Sequence, residues 1–162
     1  MSHRASFTTA QELLVIERYL HSRIPITGMM GVKVLEVDDA GVRLWAPIAP
    51  NINHRSTVFG GSACALAILS AWTLLFVRLR EPPLRSHIVI QRNTIEYLRP
   101  LRGDYEAFCI APTEAEWDRF VHSLGRRSRA RISLHAELRS AGELGATYHG
   151  TYVADRTAEE GY

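Results

Sequence analysis

Leu13, Ile16, Leu20 and Ile24 recur at spacings of three and four behind Thr9-x-x-Glu12, a capping box ahead of an apolar stripe. The pattern predicts an amphipathic helix over residues 9–23, ended by Pro25. Two short β-branched runs follow at 32–37 and 42–46, separated by Asp38-Asp39-Ala40-Gly41, a sequence suited to a tight hairpin. Pro47 and Pro50 close that unit, and a polar loop leads to Gly60-Gly61. Residues 62–77 then carry no charge at all. This 16-residue run is shorter than the roughly 20 residues a bilayer span requires, so it is expected to be a helix buried on all sides. Arg78, Arg80 and Pro82-Pro83 end it.

Strand chemistry resumes at 88–98, turns at 100–104 and returns at 105–111. Trp117, Phe120, Val121 and Leu124 keep helical spacing in a short connector, expected to be more crossover than core. Residues 128–139 alternate most cleanly: Ser128, Ala130, Ile132, Leu134, Ala136 and Leu138 on one face, Arg127, Arg129, Arg131, Ser133, His135, Glu137 and Arg139 on the other. Ala141-Gly142 turns this strand into a last one at 144–153. A lone apolar helix placed after two strands of a mostly antiparallel sheet has to be covered on nearly every side, so the sheet must curl around it. The expected class is therefore α+β, a hotdog architecture with an added N-terminal amphipathic helix. One domain is expected at 9–154, with flexible ends at 1–8 and 155–162.

Composition narrows the function. A chain of 162 residues, 46% hydrophobic and 22% charged, has room for one soluble domain with a sizeable core. Nineteen basic against 17 acidic residues is too even for a protein that coats nucleic acid. Cys64 and Cys109 show no metal-ligand or redox spacing, so no metal site is expected and a reducing cytoplasm is the simplest compartment. No targeting segment is visible before Leu13.

The run Asn53-His54-Arg55-Ser56-Thr57-Val58-Phe59-Gly60-Gly61-Ser62, the apolar helix, and then Ile95-Glu96-Tyr97-Leu98-Arg99-Pro100 together resemble the hotdog thioesterase superfamily. The Thr-Val-Phe-Gly-Gly-Ser form most resembles the YiiD carboxy-terminal domains and their stand-alone relatives, among them malonyl-ACP decarboxylases. The resemblance covers residues 26–153 and implies a homodimer, or two such dimers paired, whose sheets join. It implies a site between the helix start of one subunit and groups of the other. It further implies an acyl thioester of coenzyme A or acyl carrier protein as ligand, with no separate cofactor. Phe59, ahead of the glycines, would touch substrate. Asn53 stands where hydrolytic members place an asparagine that positions water or carbonyl.

Helix-start amides lack internal partners and carry partial positive charge, so those of Gly60, Gly61 and Ser62 can accept a thioester oxygen. Glycines there also serve plain packing. Asn53 offers donor and acceptor without charge, or else closes an Asx turn in its loop. His54 is a candidate base or phosphate contact, with a surface role as the alternative. From Asn51 to Arg80 there is no Asp or Glu. The helix position where the resemblance implies a hydrolytic carboxylate is Ile68, which moves no proton. Glu96 on the following strand, if turned inward, could supply a base. Decarboxylation of a malonyl thioester needs fixed donors on the forming enolate and no base, which favours it over hydrolysis here. Ser62 and Thr94 are further polar candidates. Non-catalytic thioester binding stays open as a third reading. Cys64, Trp72, Phe76 and Trp117 read as core. The run Arg126, Arg127, Arg129 and Arg131 is either a solvated face or a docking surface for carrier protein or coenzyme A phosphates.

Overall fold

The structure, a computed structural model, describes residues 9–157. The expected N-terminal segment 1–8 and most of the expected tail lie outside the described residues. Thr9 caps α1 (Ala10–Arg23) reciprocally with Glu12, as the capping box requires. A single turn, α2 (Ile26–Met29), leads to β1 (Lys33–Val37) and β2 (Gly41–Ala46), which form the expected hairpin. Its turn is held by Asp38 Oδ1, which accepts from the amides of Ala40 and Gly41. After a 3-10 turn at Ala49–Asn51 comes α3 (Gly60–Leu79), then β3 (His87–Tyr97) and β4 (Tyr105–Ile110). Helix α4 (Glu114–Arg127), β5 (Arg129–Ser140) and β6 (Glu143–Asp155) complete the chain.

All pairings are antiparallel, in the order β1-β2-β4-β5-β6-β3. The sheet curls around α3, whose Leu66, Ala67, Ala71 and Leu75 are fully buried. They meet Leu44, Ala107, Leu134 and Leu138 from the inward faces of the strands. The face assignment for β5 holds from Ala130 to Leu138, with Ala130, Ile132, Leu134, Ala136 and Leu138 all buried, but Ser128 lies before the strand as the left-handed C-cap of α4.

Three expectations change. The apolar helix has 20 residues and a mean hydropathy of 1.8, so length does not exclude a membrane span. What argues for a core helix is that 56% of its apolar window is buried against the sheet. The helix takes in both glycines at its start and Arg78 in its last turn, where the guanidinium lies 5.0 Å from the Trp117 ring. The connector at 114–127 is a full helix, not a crossover. Thr113 and Glu116 form a second capping box, and Phe120 and Leu124 enter the core. Finally, β3 does not pair with β4. The segment 98–104 travels along the end of the sheet, with the amides of Leu98 and Arg99 both donating to Gly145 O. Ser140 Oγ donates to Asp104 O farther along.

The two sheet edges are treated differently. On β1, the Val34 amide donates to Glu17 of α1 at 3.0 Å, and His21 Nε2 bonds Val32 O at 2.8 Å, so α1 blunts that edge. On β3, the outer edge faces no other strand among the described residues.

Because α3 is the core, Leu75→Ala should lower stability by about 2–5 kcal/mol. Urea unfolding checks this through a lower midpoint at an unchanged slope. A loss below about 1 kcal/mol would mean that the helix is not packed as described.

Candidate functional site

The loop entering α3 is closed by two asparagines. Asn51 is buried and donates from Nδ2 to Met30 O and Pro47 O, while its own carbonyl accepts from the Phe59 amide at 2.7 Å. Asn53 uses its carboxamide inside the loop. Oδ1 accepts from the amides of Arg55 and Thr57, and Nδ2 donates to Thr57 Oγ1 at 2.9 Å and to Val58 O at 3.4 Å. Both donors and both lone-pair directions are therefore engaged. The Asx-turn reading is what the backbone adopts, and Asn53 presents no free carboxamide to a ligand. His54 stands exposed on the crest of the same loop.

What the loop delivers is an open helix start. The first intrahelical bond is Ala63 N–H to Phe59 O at 3.0 Å, and no side chain caps the helix. The amides of Gly60, Gly61 and Ser62 thus lack partners, and no acidic residue occupies the first turn. The glycines have steric reasons too. A Cβ on Gly61 would collide with the Phe59 ring, and one on Gly60 would stand 3.2 Å from the Tyr97 hydroxyl. The half-exposed Phe59 ring covers this turn.

One stripe of α3 is stitched to the sheet by side chains. The Tyr97 hydroxyl donates to Gly60 O at 2.7 Å, and the Cys64 thiol to Asn93 Oδ1 at 3.6 Å. Tyr152 donates to Ile68 O at 3.0 Å, and Trp72 Nε1 to Ile88 O at 3.1 Å. Positions 60, 64, 68 and 72 lie one above the next. Asn93 and Tyr97 therefore face the helix, and strand alternation sends Thr94 and Glu96 to the opposite face. There they stand across from His149 and Thr147 of β6. Neither Thr94 nor Glu96 reaches the helix start, so the inward turn that would have made Glu96 a base does not occur.

A cleft of about 350 Å³ opens at this point, lined by Thr57, Val58, Gly60, Ala63 and the segment 97–101. It holds no carboxylate. Burial pushes the Cys64 thiol up, and burial with the neighbouring Cys64 pushes the Tyr97 hydroxyl up, so both stay neutral at pH 7. Among the described residues no group of three or more His, Cys, Asp or Glu side chains could hold a metal ion.

The arginine run lies elsewhere. Arg126 and Arg127 close α4, and Arg129 sits opposite Asp155, which pairs with His87 at the first residue of β3. The cleft is at the last residue of that strand, Tyr97. At about 3.4 Å per residue the two are roughly 30 Å apart, and Arg129 is held by Asp155 at 3.0 Å. Within one chain Arg126, Arg127 and Arg129 do not join the helix start.

Asn93 and Arg99 are the residues that sequence reasoning passed over. Arg99 stood inside the quoted motif, and counting back by twos from Tyr97 reaches Asn93. That signal was faint because Asn93 and Thr94 are both polar, so the strand shows no contrast between its faces there.

Residues 13–156 match the family described as "Putative thioesterase (yiiD_Cterm)". Among solved structures, the chain is similar to a protein of unknown function from Chlorobaculum tepidum TLS, 27% identical over 94% of this chain and 99% of that one, with a TM-score of 0.86. It is also similar to a "putative thioesterase" from Shewanella oneidensis, 27% identical over 91% of this chain and 99% of that one, with a TM-score of 0.79. A "probable thioesterase" from Pseudomonas aeruginosa, 23% identical over 88% and 95% of the two chains at a TM-score of 0.75, shares the fold.

The partly buried, hydrogen-bonded thiol of Cys64 yields a direct check. Cys64 should react with iodoacetamide more slowly than a free thiol at pH 7, and its rate should keep climbing beyond pH 8.5, about where a free thiol titrates. A rate plateau below that pH would reveal a stabilised thiolate instead.

Proposed function

The chain belongs to the YiiD carboxy-terminal thioesterase family of the hotdog superfamily, and from that premise we propose that it decarboxylates malonyl-ACP to acetyl-ACP. The observation that carries this reading is the acid-free cleft at an uncapped helix start. The thioester oxygen is received by the amides of Gly60 and Gly61, with Ser62 beside them and Asn93 one turn deeper. As the bond between the carboxylate carbon and Cα breaks, carbon dioxide leaves and the electron pair passes into the thioester as an enolate. Fixed donors stabilise that charge where it develops. A solvent proton then adds to Cα to give the acetyl group. No protein base is consumed.

Asn53 keeps a positioning role, because its bonds to Thr57 and Val58 set the loop that leaves the helix start open. Asn93 is the stronger carboxamide for ligand contact. It is exposed, its Oδ1 is occupied by the Cys64 thiol, and its Nδ2 has no partner among the described residues. Hydrolysis of a simple acyl thioester is the second reading, favoured by the family description. Its weakness is that His54 alone remains near the loop as a candidate base.

The same reading includes a homodimer. The 11-residue β3 leaves its outer edge open, and Phe59, Tyr97 and Leu98 are each about half exposed beside it. A second copy added along that edge satisfies the backbone and covers the apolar groups. A carrier-protein substrate places the work in the cytoplasm.

Incubation with malonyl-ACP, followed by mass spectrometry, should give acetyl-ACP. Free malonate with unacylated carrier as the sole products would establish hydrolysis in its place. Asn93→Ala should lower kcat about 100-fold, with a loss of stability no larger than about 1 kcal/mol, that of one hydrogen bond. Sedimentation at micromolar concentration should show twice the chain mass, and a monomer would remove the dimer from the reading.

A further inference from the structure

Arg99 borders the cleft at the helix start and also a second cleft of about 390 Å³. The two share Arg99, Pro100 and Leu101, so they are two sides of one stretch of chain. That stretch is fixed. The amides of Leu98 and Arg99 donate to Gly145 O at 2.8 and 3.0 Å, and Leu101 O accepts from Val58 N–H at 2.9 Å. The Leu101 side chain is buried. The backbone therefore serves as a rigid bridge between the two clefts.

The charges on that bridge are unspent. Arg43 is shared between Glu36 and Glu106, Arg129 is held by Asp155, and Arg139 by Glu137. Arg99 and Arg102 are exposed and have no such partner among the described residues. They border the second cleft with one carboxylate, Glu143, so two positive charges face one negative. The first cleft is uncharged apart from Arg99.

We infer that Arg99 and Arg102 are the phosphate-binding end of the thioester site. This rests on the proposed placement of a thioester carbonyl at Gly60 and Gly61. A ligand held there extends its arm over Pro100, and a phosphate ester on that arm arrives between two guanidinium groups. Guanidinium matches phosphate with paired, charge-assisted hydrogen bonds. The chemistry recognised is a phosphorylated pantetheine, whether it ends in a nucleotide or on a carrier protein. The arginine run at the far end of the sheet is not needed for it.

Calorimetric titration with pantetheine and with 4'-phosphopantetheine tests this, using thiols that undergo no turnover. Wild-type protein should bind the phosphorylated probe about tenfold more tightly, and salt should erode that ratio. The Arg99→Ala/Arg102→Ala double variant should bring the ratio close to one, while Arg127→Ala should leave it unchanged. Equal binding of the two probes by wild type, or an undiminished ratio in the double variant, overturns the inference. Titrations with coenzyme A and with holo-carrier protein identify the source, since the double variant should weaken whichever one supplies the phosphate. The outcome is separable from that of the malonyl-ACP assay. An arginine-dependent ratio with no acetyl-ACP formed keeps the subsite and removes the decarboxylase, and acetyl-ACP formation with an arginine-independent ratio does the reverse.

Discussion

A twenty-residue helix with no charge before its last turn has to be hidden, and nearly every feature of this molecule follows from how that is done. Burying a large aliphatic side chain contributes about 1.5–3 kcal/mol, and α3 offers Leu66, Leu69, Leu74, Leu75 and Leu79 on its covered sides. No flat sheet wraps a helix this apolar. The six strands curl so that their inward faces surround it, and α1 and α4 fill what the sheet leaves. The helix start is the place where this cover gives out. Its first amides emerge at the sheet's end beside the loop closed by Asn51 and Asn53, which is why a polar, electropositive feature appears on an otherwise oily element.

Cover is also incomplete along one line, and that line is polar. Gly60, Cys64, Ile68 and Trp72 are each only partly buried, and each is tied to the sheet through a hydrogen bond to a side chain or a carbonyl. An apolar seam in that place would be free to slide by a turn. The four specific bonds fix the rotation of the helix, and thereby which amides face the cleft. The same side holds the open edge of β3. The opposite edge, at β1, is capped by Glu17 and His21 of the N-terminal helix. On the proposed dimer, that asymmetry puts the second copy on the β3 edge rather than the β1 edge.

Much of this was legible in the sequence because the signals were local. The capping box at Thr9, the hairpin at Asp38 to Gly41 and the alternation from Ala130 to Leu138 each depend on spacing within a few residues, and each appears as expected. Helix α4 was underread although Thr113 and Glu116 repeat the same capping pattern, since a short amphipathic stretch between strands resembles a crossover. The site was less legible because its members are set by pairing across the sheet. Nothing local shows that Glu96 turns outward while Tyr97 turns in, or that the arginines at 126–129 stand at the other end of β3 from the cleft. Asn53 illustrates the limit well. Its residue type and position suit a ligand contact, yet its carboxamide is spent within five residues of itself.

The electrostatics of the cleft tie these strands of the argument together. A carboxylate at 4 Å from a substrate carboxylate repels it by about 4 kcal/mol at an effective dielectric of 20. The cleft lining contains none, and burial keeps the Cys64 thiol and the Tyr97 hydroxyl protonated at neutral pH. The cleft is bordered by the free amides of a helix start and by the guanidinium of Arg99, which has no carboxylate partner among the described residues. A ligand whose carbonyl gains negative charge at one end and whose arm carries a phosphate at the other suits these two groups. On the proposed reading the amides receive the thioester oxygen as it becomes an enolate, and the guanidinium receives the pantetheine phosphate. A carboxylate in this lining would favour activation of water and, on the proposed reading, would repel a malonyl group by the same charge.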